Sequence, residues 1–146
     1  ICMSGYEGYA AMAIPLTETG DISGSEKILW KRDRGTPYIP SPLLYDGLLF
    51  YNQSNQSILT CVNSKTGETV FGPERIGQLS NIYASPVGAA GRVYLTGRNG
   101  TTVVMQRSGQ FNVLPIIVLA CAISGCVVAL CAATILVAEW VPRITL

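Results

Sequence analysis

Ser41-Pro42-Leu43-Leu44-Tyr45-Asp46-Gly47-Leu48-Leu49-Phe50-Tyr51 decides the reading, because the pattern occurs twice. Ser85-Pro86-Val87-Gly88-Ala89-Ala90-Gly91-Arg92-Val93-Tyr94-Leu95 aligns with it, without a gap, at an offset of 44 residues. Serine, proline and the turn glycine coincide, and an apolar or aromatic pair follows each glycine. The same offset carries Asn55 onto Asn99 and Leu59 onto Val103. An aromatic residue precedes each unit, Trp30 in one case and Phe71 in the other.

Working outward, one period predicts four short strands. A strand over 41–45 runs into Asp46-Gly47, a hairpin turn in which both positions tolerate positive φ. Strands over 48–51, 58–62 and 68–71 follow, separated by the polar turns 52–56 and 63–67. In the second period the strands fall at 83–87, 92–96, 101–106 and 111–114, with turns at Ala90-Gly91, Asn99-Gly100 and Ser108-Gly109. Short strands at this spacing indicate an all-β sheet architecture, and four strands per repeat of roughly 40–45 residues is the value for a β-propeller blade. An ordinary β-sandwich gives no reason for Ser-Pro, Gly and an aromatic to recur in order at one offset. The expected fold is therefore an all-β partial propeller of about two to two and a half four-stranded antiparallel blades.

Cys61-Val62-Asn63-Ser64-Lys65-Thr66-Gly67-Glu68-Thr69-Val70-Phe71 resembles the blade motif A-x-D-x-x-T-G-x-x-x-W of the PQQ-like (pyrroloquinoline-quinone-type) propellers. The motif's logic is local. The acid or amide caps the turn, glycine takes a positive φ, and the last aromatic packs between blades. This copy has Cys61 for Ala, Asn63 for Asp and Phe71 for Trp. Asn still caps and Phe still packs, without an indole N–H. A looser copy spans 13–30, with Gly20, Asp21 and Gly24 in a longer turn before Trp30. The stretches 30–45 and 85–97 resemble a subset of these propellers found in exported bacterial proteins. The residues carrying the blade pattern are Trp30, Ser41, Pro42, Gly47, Asn63, Thr66, Gly67, Phe71, Ser85, Pro86, Gly91, Asn99 and Gly100.

The resemblance leaves two functions open. One is a non-catalytic protein-interaction scaffold, outside the cytoplasm, with an unidentified protein partner and the remaining blades lying outside this stretch. The other is a C-terminal part of a quinoprotein dehydrogenase whose catalytic blades lie elsewhere. Quinoproteins of that kind use a central calcium, a catalytic Asp and a vicinal disulfide, and no Cys-Cys pair occurs here. Asp21, Glu26, Asp33, Asp46, Glu68 and Glu74 sit in turns or polar flanks, where solvation and capping account for them. The expectation is a chain with no enzyme activity, no catalytic residue, no metal ligand and no cofactor of its own.

Composition supports this. Histidine is absent, which removes the commonest general base and zinc ligand. A net charge of +1 with 13% charged residues provides no basic field for nucleic acid. The five cysteines include no CxxC pair and suggest no disulfide framework. Lys31-Arg32-Asp33-Arg34 reads as a solvated loop with internal Asp–Arg pairing, the alternative being an anion or partner contact. Tyr38, Tyr45, Tyr51 and Tyr83 read as blade packing rather than as a recognition surface. Asn52, Asn55 and Asn99 each open a glycosylation sequon, taken as turn chemistry.

Composition shifts at Leu114, so the expected domains are 1–114 (blades), 115–138 (an apolar helix) and 139–146 (a tail). The run 116–138 holds no charge and would reach about 35 Å as a helix, enough for a hydrocarbon core of roughly 30 Å. A membrane tether is one reading of it. The other is a shifted reading frame, since the next blade should begin there. The chain opens on Ile1 without a leader-like segment, which reads as a cut end. Two and a part blades leave inter-blade faces open, so residues 1–114 alone are expected to lack a sharp monomeric melt.

Overall fold

The computed structural model describes residues 1–23 and 26–114. The helix expected over 115–138, and Gly24 of the longer turn, lie outside the described residues. Those residues contain ten strands and no helix. None of them therefore forms a helix long and apolar enough to cross a membrane.

The strands form three antiparallel sheets that follow the chain. β1 (Cys2–Ser4), β2 (Ala10–Ala13) and β3 (Trp30–Arg32) make the first. β4 (Leu43–Tyr45), β5 (Leu48–Asn52), β6 (Ile58–Asn63) and β7 (Thr69–Arg75) make the second, in that order. β8 (Val87–Ala89), β9 (Arg92–Thr96) and β10 (Thr102–Gln106) make the third. Every neighbour in a sheet is also the neighbour in sequence, as hairpin-linked blades require.

The repeat reappears in the backbone. Asp46 and Gly47 take φ of 50° and 77°, and Ala90 and Gly91 take 48° and 71° at the matching turn. Tyr45 pairs with Leu48, and Ala89 pairs with Arg92. In the first sheet Ala13 pairs with Trp30, the same relation that joins Cys61 to Phe71. The looser copy is thus a sheet of the same kind, in which Ala13 and Trp30 pair across a longer interval of sequence. Its strands β1 and β2 extend the array upstream of residue 13.

Several boundaries differ from the sequence reading, each for a backbone reason. β4 starts at Leu43 because Pro42 has no N–H and the Ser41 N–H donates to Ser85 Oγ, 2.9 Å away. Pro86 likewise moves β8 to Val87–Ala89, so most of the strand expected over 83–87 lies outside the ladder. β7 runs on to Arg75 through register shifts against Leu59, Cys61 and Val62. The strand expected over 111–114 reduces to a Met105–Val113 bridge, flanked by hydrogen bonds from Gln106 N to Asn112 O and from Leu114 N to Val104 O.

Alternation along the strands divides the core into seams. Leu49, Tyr51 and Val62 pack with Ala11, Ala13 and Trp30 between the first and second sheets. Phe50, Leu59 and Cys61 point the other way and pack with Val93, Leu95, Val103 and Met105 of the third. Sheets buried on both faces read as near-continuous apolar runs, which is why Leu48–Tyr51 shows no polar alternation.

Candidate functional site

Trp30, Asn63, Thr66 and Gly67 of the blade pattern lie at one seam, and Ser41, Phe71, Ser85 and Gly91 at the other. At the first, Trp30 is buried against the 63–67 turn, and its Nε1–H donates to Ser64 O at 2.9 Å. Gly67 makes this possible. Its φ is +73°, and a Cβ there would stand 2.6 Å from Trp30 Cγ. The turn is held by Asn63 Oδ1, which accepts from Lys65 N (2.9 Å) and Thr66 N (3.3 Å). Thr66 Oγ1 donates to Glu68 Oε2 and accepts from Glu68 N. Arg32 donates to Gly67 O and to Thr69 Oγ1, so it reaches across the seam and leaves the solvated loop expected for the charge run. Asp33 and Arg34 remain exposed, 3.9 Å apart.

At the second seam no indole is present. Phe71 lies between Phe50 and Phe111, with ring centroids 6.2 and 5.8 Å away. Tyr45 covers Gly88, where a Cβ would come within 2.8 Å of its ring, and its hydroxyl accepts from Gly91 N at 2.9 Å. Arg107 sits over the Tyr45 ring and pairs with Asp46 at 2.6 Å. The Ser41–Ser85 bond joins the serines of the two Ser-Pro units directly. Asn99 and Gly100 stay at an exposed turn, where Asn99 Oδ1 accepts from Thr101 N.

The four tyrosines therefore separate. Tyr45 and Tyr51 pack within the blades. Tyr38 and Tyr83 are exposed, Tyr83 beneath Arg98 and Tyr38 stacked on Tyr6 at 5.3 Å. Sequence reasoning missed Tyr6, although its place in a Gly5–Gly8 turn was a usable signal. Beside this stack lies an open cleft of about 320 Å³. Ile1, Met3 and Ser4 form one wall and Pro37, Pro40 and Pro42 the other.

Burial pushes the Cys61 thiol up to about 12. Burial also raises the Tyr51 phenol, with the Arg32 charge opposing. The Ser23 N–H lowers the exposed Asp21 carboxyl. Glu18 and Asp46 are spent on Lys27 and Arg107. Among the described residues no three His, Cys, Asp or Glu side chains gather as a metal site. Asn52, first residue of a sequon, is fully buried.

No protein-family profile and no curated protein matches the chain. Solved structures do. A europium-containing methanol dehydrogenase superposes with a TM-score of 0.53 at 12% identity, over 79% of this chain and 22% of that one. The fold is that of β-propeller blades. BamB from Moraxella catarrhalis matches with a TM-score of 0.47 at 20% identity, over 64% of this chain and 29% of that one. The chain spans less than a third of the length of either structure. At these identities the likeness concerns the blades alone, and activity does not follow from it.

Proposed function

We propose that this chain contributes blades to a non-catalytic, extracytoplasmic protein-interaction scaffold. The observation that carries the reading is the allocation of side chains. Charged and motif residues such as Arg32, Asn63 and Arg107 are occupied in holding turns and seams. The stacked Tyr6–Tyr38 pair, by contrast, is exposed beside an open cleft. Exposed aromatics next to a concavity suit protein recognition, because rigid rings lose little entropy on docking.

The competing reading is a segment of a quinoprotein dehydrogenase. Titrating the full chain with calcium and the quinone, followed by absorbance, separates the two. The scaffold reading expects no saturable spectral change. Stoichiometric uptake of the quinone would overturn it in favour of the dehydrogenase.

A further inference from the structure

Asn52 closes β5 at a position where the three sheets carry different side chains. Aligning Ala13–Trp30 with Cys61–Phe71 sets Ala11 on Leu59, and Met3 pairs with Ala11 as Asn52 pairs with Leu59. Met3 therefore stands at the Asn52 position of the first sheet, and the 44-residue offset puts Thr96 there in the third. A thioether asks for no hydrogen bond, and Thr96 Oγ1 meets Thr102 Oγ1 at 3.0 Å. Asn52 is 0% exposed, yet neither its Oδ1 nor its Nδ2 has a hydrogen-bond partner among the described residues.

Asn52 shares a face with Leu59 across the ladder and with Phe50 along the strand, so it points into the second seam. Three residues on, Asn55 Oδ1 is likewise buried without a partner. The loop that holds both receives the segment leading to the third sheet, for Ile76 N donates to Ser57 O (2.8 Å) and Ile82 N to Asn55 O (2.9 Å). Ile76 and Ile82 belong to the same apolar cluster as Phe50 and Leu59. An unpaired amide in such surroundings is costly, and native interiors satisfy these groups with protein atoms or with enclosed water. Because Asn52 has no exposed surface, whatever satisfies it is enclosed in the seam, out of reach of a further repeat or a partner chain.

We propose that a water molecule is enclosed in the second seam and joins the Asn52 side chain to Asn55 Oδ1. One water can close a ring with a primary amide, accepting from Asn52 Nδ2–H and donating to Asn52 Oδ1. Its second hydrogen then serves Asn55 Oδ1, which makes about three hydrogen bonds, the usual number for a buried water. The water ties the end of β5 to the loop that receives Ile76 and Ile82, and so fixes the path of the chain into the third sheet. The inference stands apart from the scaffold reading, since it concerns how two blades are joined and not what the array binds.

The test is a pair of water-selective NOESY and ROESY spectra of the full chain, isotope-labelled at asparagine, in mild detergent. The Asn52 resonance is assigned by its loss in Asn52→Leu. The expected result is a peak between the Asn52 Nδ2 protons and water, of opposite sign in the two spectra, which proton exchange does not give. Urea unfolding supplies a second readout. Asn52→Leu should lower the midpoint, because Asn55 Oδ1 loses its bridge, whereas relief of a dry, unpaired amide would raise it. Asn55→Ala should lower the midpoint less in the Asn52→Leu background than alone, because the two side chains share one water. Absence of the water peak, a midpoint raised by Asn52→Leu, or additive losses in the double variant overturns the proposal.

Discussion

The first seam is closed by one large side chain and the second by several small contacts. Trp30 crosses from β3 to the 63–67 turn, fills the space above Gly67 and satisfies Ser64 O with its indole N–H. Phe71, at the matching position, has no N–H and meets another ring, Phe111, where the first seam has a glycine turn. The lost polar contact is replaced nearby by Tyr45 on Gly88 and Gly91, by Ser41 on Ser85 and by Arg107 on Asp46. One junction is concentrated and the other distributed. A concentrated junction fails at a single substitution, while a distributed one loses stability in increments.

The largest effect should come from Gly67→Ala. The new methyl meets the indole at 2.6 Å on a backbone with φ of +73°, so strain and overpacking add. We expect a loss of about 2–4 kcal/mol in urea unfolding, exceeding that of Gly88→Ala, where the Tyr45 ring can tilt away. Equal losses at the two glycines would erase the distinction between the seams. Trp30→Phe comes next, at about 1–2 kcal/mol, because Ser64 O is left without its donor. If this variant instead matches wild type, the indole contributes only bulk and the two aromatics are interchangeable.

Alkaline pH probes one group in each seam, Tyr51 in the first and Cys61 in the second. The Cys61 thiol is raised to about 12 by burial and the Tyr51 phenol is raised as well. The folded state therefore favours both protonated forms. For Cys61 that contribution is fully present below its ordinary value and is lost as pH climbs from about 9 toward 12; for Tyr51 it is likewise lost above the ordinary phenol range. Cys61→Ala should move the alkaline unfolding midpoint upward and leave the acid limb unchanged; a midpoint that stays put would assign the transition to Tyr51. The smallest effect is a gain. Ala90 holds a left-handed φ of 48°, so Ala90→Gly should stabilise by about 0.5–1 kcal/mol in the same urea assay.

Much of this comparison was legible in the sequence because glycine and proline punctuate it. Asp46-Gly47 and Ala90-Gly91 mark the turns, and Ser-Pro fixes where the inner strands enter. The first sheet was harder to see, since the long sequence interval between Ala13 and Trp30 hides their pairing behind an unusual spacing. The outermost strand of the third sheet was overread. Its apolar residues Val113 and Leu114 pack locally, but they make only a bridge. The cleft could not be read from one repeat alone, because Tyr6 meets Tyr38 only across the seam.

The bond between Ser41 and Ser85 joins two occurrences of a single repeat position, the side chain of the later copy closing on the backbone of the earlier one. A linkage of this form obeys a rule that is indifferent to how many units obey it. A change of one residue in the spacing would carry the Ser85 hydroxyl away from the Ser41 N–H, so the joint resists drift in unit length.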